Sequence, residues 1–265
     1  IYSLRLDYGF NNDEIVELCK QDKFIVELNA STITIKQLEY FKNCGVDLHK
    51  VRISHNFYPK LYTGISREEV IRRNKIFKQY GLNVMMYIPS QNQKRPPMYE
   101  GLPTIEEHRY YPLEAVLSEI RGLGIDEVFF GDCYASKEEI EMATTFDYDV
   151  VQIPIVVNKG LTEVEKELLQ QEHHNRIDQP TSFIRSSCRL KTKEVKPKNT
   201  IIRKKGNVTI DNQLFARYQG EVCLMLTDLP QDDRVNVVGN IACDIDTLTF
   251  IKPGDKFRLI IKGEK

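Results

Sequence analysis

The sequence predicts a parallel α/β unit followed by a small all-β domain, and three observations predict it. Over residues 1–133, short runs rich in Val, Ile, Leu, Phe and Tyr alternate with segments of helical periodicity, the rhythm of a parallel sheet. From Thr200 onward the pattern is strand and turn only. With 265 residues, 41% hydrophobic and 28% charged, the chain has the make-up of one large or two modest globular cores.

Strand signals lie at Leu4 to Asp7, Phe24 to Asn29, Val51 to Asn56, Asn83 to Ile88 and Glu127 to Gly131. Helical periodicity covers 12–21, 32–43, 67–80, 104–122 and 137–145. Ser66 with Glu69, Thr104 with Glu107 and Ser136 with Glu139 have capping-box spacing, and Gly81 closes the third helix. Pro112 divides the fourth into a short piece, 104–110, and a longer one from 113. Val150 to Val157 is a further strand, and Thr162 to Asn175 reads as a helix on the spacing of Glu165, Leu168 and Leu169. Arg189 to Lys205 is basic and polar and reads as a linker. Beyond it, Gly206-Asn207 and Asp211-Asn212 are turn pairs, Glu221 to Leu226 and Val235 to Val238 are strands, and Lys252 to Asp255 turns into Phe257 to Ile261. An antiparallel barrel or sandwich of about 65 residues fits this last part. The expected organisation is therefore 1–160, a connecting segment 161–199, and 200–265. Five βα units occupy about 145 residues where a closed eight-unit barrel takes about 250, so the sheet is open or three units lie outside this chain.

Lys and Arg number 37 against 38 Asp and Glu, so no global positive field collects nucleic acid. No apolar stretch approaches the roughly 20 residues of a membrane span. The six cysteines are far apart and form no CxxC, which favours free thiols in a reducing compartment. Ile1 opens almost directly onto a strand-like run with neither an initiator Met nor a signal-peptide pattern, as in a truncated chain.

Ligands of parallel α/β folds bind at the carboxyl ends of strands. Asp7 and Glu27 are expected at neighbouring strand tips, where two carboxylates divide acid and base roles, or else cap adjacent helices or pair with Arg5 and Arg52. His55 and Asn56 follow the third strand, and the histidine suits either a sugar hydroxyl or a loop carbonyl. Near Glu107, which has a capping explanation, His108 and Arg109 are less accounted for. With no HExxH and no Cys/His cluster, the case for a metal is poor. Arg176, Asp178, Ser182, Arg185, Ser186, Ser187 and Arg189 form a polar constellation suited to a phosphate, or to a basic linker. No GxGxxG or Walker loop suggests a nucleotide.

Several strings carry a resemblance: Leu4-Arg5-Leu6-Asp7-Tyr8-Gly9-Phe10, Glu27-Leu28-Asn29-Ala30-Ser31, His55-Asn56-Phe57-Tyr58-Pro59, Thr63-Gly64, the stretch from Glu100 to Arg109, Gly131-Asp132, His174 to Asp178, Ile184-Arg185-Ser186 and Arg217 to Glu221. In order and nearly end to end, they resemble the 6-phospho-N-acetylmuramidase family. The resemblance implies a TIM (β/α)8-type barrel followed by a small cyclophilin-like all-β barrel domain. This chain would be N-terminally truncated to about five βα units, its first strand matching the family's fourth. It also implies a cytoplasmic bacterial glycoside hydrolase of cell-wall turnover; no cofactor, metal, nucleic-acid or membrane partner is expected. That enzyme cleaves 6-phospho-N-acetylmuramic acid from N-acetylglucosamine in a phosphorylated disaccharide.

On this pattern Asp7 and Glu27 take the acid/base and nucleophile or stabiliser roles. A separation of about 5 Å would mean retention and about 6.5 to 9.5 Å inversion. Asn29, His55, Asn56 and Tyr58 would position sugar hydroxyls or the N-acetyl group, with Glu107, Arg109 and Asp132 as further candidates. Arg176 and Arg185 with Ser186 would hold the phosphate, Asp178 would orient an arginine, and Arg189 or Arg5 would meet the lactyl carboxylate. The alternatives are a non-catalytic sugar-phosphate binding protein and an inactive truncated relative. The sequence carries no signal for oligomeric state.

Overall fold

The computed structural model describes residues 1–189 and 193–265. It forms two compact units, residues 1–111 with 120–145 and residues 112–119 with 146–265.

Along residues 1–145 strand and helix alternate: β1 (Ser3–Leu6), α1 (Asn12–Lys20), β2 (Ile25–Asn29), α2 (Ile35–Asn43), β3 (Arg52–Ser54), α3 (Arg67–Gln79), β4 (Asn83–Ile88), α4 (Leu113–Leu123, of which 113–119 belong to the second unit), β5 (Glu127–Phe130) and α5 (Lys137–Thr145). The five strands are parallel and stand in the order β1-β2-β3-β4-β5. Right-handed crossovers along an order that never reverses put every helix on the same face of the sheet. That is the winding of a TIM-type barrel wall; a doubly wound sheet reverses at a switch point.

The register divides the strand residues between two faces. Leu6, Leu28, Ile53 and Val84 lie side by side and are buried. Arg5, Glu27, Arg52 and Asn83 form a row on the other face, with Asn29, Ser54, Met85 and Glu127 in the next. The apolar row packs toward the helices, and the polar face is the one a barrel would turn inward.

Local chemistry explains the helix starts. Asn11 with Glu14 and Thr34 with Gln37 close reciprocal capping boxes on α1 and α2. Ser136 and Glu139 do the same for α5. Ser66 accepts from the Glu69 N–H, but the Glu69 carboxylate turns to Arg72 and Arg73, leaving half a box. Thr104 is not a cap, contrary to expectation. Its hydroxyl accepts from the Tyr87 N–H at 3.0 Å and donates to the Asn56 carbonyl at 2.9 Å, tying a loop to β4. The chain then makes a 3-10 turn, Glu106–Tyr110, and α4 begins after Pro112.

The second unit contains β6 (Val150–Val157), α6 (Glu163–Gln170), β7 (His173–His174), β8 (Phe183–Arg185), β9 (Asn207–Asp211), β10 (Val222–Met225), β11 (Val235–Ile241) and β12 (Lys256–Glu264). The strand order is β7-β12-β6-β11-β9-β10-β8. β6 and β12 pair in parallel and the other pairs are antiparallel, so the sheet is mixed where the sequence pattern suggested an antiparallel one. Its two ends meet through the Asn175–Ser186 bridge, with Arg176 N–H donating to Arg185 O at 2.9 Å and Ser187 N–H to His174 O at 2.8 Å. Closure of this kind satisfies edge groups that would otherwise stand open.

Three boundaries differ from those expected of the sequence. β6, placed with the first domain at 1–160, belongs to the second sheet because both its edges are taken by β11 and β12. The helix expected to reach Asn175 stops at Gln170, since His173 and His174 pair with β12. Of the expected linker, 190–192 lie outside the described residues. The rest of it packs within the second unit, Val195 entering the core with Ile153, Leu168, Ile184, Val208 and Phe257.

Candidate active site

On the polar face of the first sheet, one guanidinium gathers polar groups from β1, β2 and β3 and the residues just beyond them. Arg5 Nε donates to Asp7 Oδ1 at 2.9 Å, and Nη1 donates to Ser54 Oγ at 2.6 Å and to the His55 carbonyl at 3.3 Å. Nη2 donates to Asn56 Oδ1, and Glu27 Oε1 stands 3.7 Å from Nη1. Ser54 in turn donates its hydroxyl proton to Glu27. Asn29 Nδ2 donates to Asp7 Oδ1 at 3.1 Å, and its own oxygen is fixed by the Ser31 N–H at 2.9 Å. Asp7, Glu27, Asn29, Ser54 and Asn56 thus form one network, in which the Asp7 side chain is 52% exposed and that of Glu27 8%. Neighbouring strands with matched register put these groups on one face, which is why positions 22 to 51 residues apart converge.

An aromatic row borders the network. Phe57 meets Tyr87 edge-on at 5.1 Å between ring centroids, and Tyr87 lies 6.3 Å from Phe129, its register partner on β5.

The second unit holds a cavity of about 670 Å³ lined by Arg176, Asp178, Arg185, Arg189 and residues 216–219. It sits at the closure seam, where β7 and β8 bring Arg176 and Arg185 together. Buried Glu221 pairs with both Arg185 and Arg189, and Asp178 holds Arg176 through bonds of 2.8 and 2.9 Å. The guanidinium groups of Arg185, Arg189 and Arg217 stand 5.5, 5.3 and 4.9 Å from the centre of the Tyr218 ring. Arg217 also donates to the Tyr218 hydroxyl at 2.8 Å. Clamped guanidiniums with free edges are suited to anions carrying several oxygens. Among the described residues, no group of three or more His, Cys, Asp and Glu could hold a metal ion.

Both halves of the chain match family models. The N-terminal model of 6-phospho-N-acetylmuramidase matches residues 1–145, and the C-terminal model of 6-phospho-N-acetylmuramidase matches residues 151–260. The chain belongs to the 6-phospho-N-acetylmuramidase family. It is similar to a crystal structure of a conserved Enterococcus faecalis protein of unknown function, at 30% identity and TM-score 0.76, over 99% of this chain and 72% of that one. An uncharacterized B. cereus protein is similar at 29% identity and TM-score 0.84, over 97% of this chain and 76% of the other. No curated protein matches.

Within this member of the 6-phospho-N-acetylmuramidase family, several residues named from the sequence sit elsewhere. His55 is fully buried on the helix side of the sheet, its Nε2 2.8 Å from Asn74 Oδ1 and its ring against Phe77. Burial lowers its pKa to about 4, so it is neutral, and only its carbonyl touches the network. Arg5 has every side-chain nitrogen engaged within the protein and offers no fork to a lactyl group. Arg109 is fully buried and structural, pairing with Glu106 and donating to the carbonyls of Tyr58, Lys60, Glu100 and Gly101. Asp132 anchors a loop, accepting from the N–H groups of Ser90, Arg95 and Leu102. Ser186 is buried against His173, 3.0 Å from Nδ1, and is not among the residues lining the arginine cavity. Tyr58 contributes its backbone, bonding Pro103 O through its N–H. Glu107 is half-buried with one carboxylate oxygen lacking a hydrogen bond among the described residues.

Ser54, Glu106, Arg217, Tyr218 and Glu221 take part in these networks or line the cavity, and the sequence did not single them out as site residues. The signal for Ser54 was parity, two residues after Arg52 on the same strand face. Glu221 closes the string Arg217 to Glu221, which carried the family resemblance but no role in a site.

Behind the arginine cavity, the Asp211 N–H donates to the Glu221 carbonyl at 3.0 Å. Burial, and then the negative charge of Glu221, push the Asp211 carboxyl up to about 7. Its folded-state pKa exceeds the unfolded value of about 3.9, so the folded state binds more protons between about pH 4 and 7 and stability falls as pH rises through that window. Asp211→Asn is therefore expected to stabilise the protein at pH 8, by about 2–4 kcal/mol, and to change little at pH 4. Urea midpoints at the two pH values measure this; an equal change at both would contradict a carboxyl held neutral.

Proposed function

We propose that the chain is a glycoside hydrolase that cleaves 6-phospho-N-acetylmuramic acid from N-acetylglucosamine, in the cytoplasmic turnover of cell-wall sugars. The observation that carries this is the pair Asp7, just beyond the end of β1, and Glu27, in the middle of β2, joined through Arg5 on the polar face. Glycosidic cleavage needs one group to protonate the leaving oxygen and a second to support positive charge at the anomeric carbon, or attack it. Asn29 orients Asp7, Ser54 orients Glu27, and Asn56 completes the frame.

The arginine cavity supports a phosphorylated substrate. Four guanidiniums, of Arg176, Arg185, Arg189 and Arg217, face two paired carboxylates, Asp178 and Glu221, an excess of two positive charges. A phosphate monoester carries about −1.5 to −2 at neutral pH.

Incubating the purified chain with the phosphorylated disaccharide tests the reading, with release of both sugars expected. Tight binding without cleavage would favour a sugar-phosphate binding protein; a folded chain that neither binds nor cleaves would favour an inactive relative. Arg185→Ala is expected to lower kcat/KM for the phosphorylated substrate at least about 30-fold more than for its dephosphorylated form, consistent with the roughly 2–5 kcal/mol carried by a buried charge pair. Equal losses on both would remove the phosphate from this cavity.

A further inference from the structure

We infer that Arg95 reads a carboxylate on the substrate, the lactyl group of the muramic acid ring, and so selects muramic over glucosamine substrates. The inference rests on the glycosidase reading and assigns a residue for which neither the motifs nor the polar network accounts.

Arg95 lies in the long segment between β4 and the 3-10 turn, and that segment is fixed at its root. Asp132 accepts from the backbone N–H groups of Ser90, Arg95 and Leu102, at 3.0, 3.0 and 3.3 Å. Glu139 accepts from the Ser90 hydroxyl and the Gln91 N–H, each at 2.7 Å. The Arg95 guanidinium stands over the Phe57 ring, 5.5 Å from its centre. Among the described residues no carboxylate pairs with it, and the residue is exposed.

Other arginines of this unit are committed. Arg5 serves the polar network, Arg52 pairs with Glu127 at 2.9 Å, Arg73 binds Glu69 and the Ala30 carbonyl, and Arg109 is buried. A guanidinium stacked on an aromatic face keeps its edge N–H groups free for a bidentate carboxylate. Phe57 directly follows Asn56, which accepts from Arg5, and its other neighbour is Tyr87 on the polar face. The free cation is therefore linked to the proposed catalytic pair through Phe57, Asn56 and Arg5. A carboxylate on the ring entering there meets Asp7 and Glu27 as like charges, and a cation on the same rim offsets that repulsion.

The test compares wild type, Arg95→Lys and Arg95→Ala on two substrates: the phosphorylated disaccharide, and the same disaccharide with a hydroxyl in place of the lactyl ether. For Arg95→Ala we expect kcat/KM to fall about 30-fold on the lactyl substrate, chiefly through KM, which is about 2 kcal/mol at 1.4 kcal/mol per tenfold. On the lactyl-free substrate we expect a change below about threefold, since no charge pair is lost there. Arg95→Lys should fall between, keeping the charge without the fork. Equal losses on both substrates would overturn the assignment. Should wild type cleave neither substrate, the glycosidase reading fails separately. Calorimetric binding of 6-phospho-N-acetylmuramic acid and of 6-phospho-N-acetylglucosamine then tests Arg95 alone. Weakening by Arg95→Ala confined to the former supports it, and unchanged affinity for the former overturns it.

Discussion

Asp7→Asn and Glu27→Gln are each expected to lower kcat on the phosphorylated disaccharide by about 10²- to 10⁴-fold, the range contributed by a positioned acid or base. Both amides keep the shape of the carboxylates and most of their hydrogen-bond capacity, so substrate affinity should change far less than turnover. The double variant should lose little more than the worse single one, because groups that act as a unit are not additive. Product release measured by chromatography decides it. Turnover within about threefold of wild type in either variant would remove that carboxylate from the chemistry. Glu27, with 8% of its side chain exposed and bonded to Ser54, would then be a group that only orients Arg5.

The largest structural effect is expected at Arg109. Its guanidinium is fully buried, pairs with both oxygens of Glu106 at 2.7 Å, and holds the chain segments at 58–60 and 100–101 together. That guanidinium, together with the N–H groups of Tyr62 and Gly64, depresses the Glu106 carboxyl to about 2. Arg109→Ala leaves several carbonyls and one carboxylate without their donor, a loss of about 3–5 kcal/mol for a broken buried pair. Thermal unfolding should shift down by roughly 10 °C or more. Arg109→Lys should recover little, because an ammonium cannot reach separate acceptors as a planar fork does. A cost below about 1 kcal/mol would show that water replaces the lost donors. The stabilisation from Glu106 is present above the unfolded carboxylate value of about 4.3 and is lost as pH falls from there toward 2.

Much of the first unit was legible along the chain. Short runs rich in Val, Ile, Leu, Phe and Tyr between helical segments name five strands, and the structure places each within a few residues of its signal. Asp7 lies just past the end of β1 as expected, whereas Glu27, expected at a strand tip, is the third of the five residues of β2 and level with Arg5. The second unit was less readable. β8 and β9 are short and flanked by turn residues, and β6 pairs with β12 about a hundred positions away, which no local pattern encodes. The role expected of His55 turned on parity, one residue separating the polar face from the helix face.

The order of apolar and polar residues determined by itself that this chain builds a βα wall and a β-rich second unit, because side-chain periodicity dictates which face of each element leaves water. Only the tertiary structure decided which polar groups are free to meet a ligand. Arg5, Arg109 and Arg95 are the same residue type, yet the first is locked among carboxylates and amides, the second is buried under carbonyls, and the third stands open on a phenyl ring. Hydrogen-bond saturation depends on partners supplied by distant segments, so it exists only once the chain has folded.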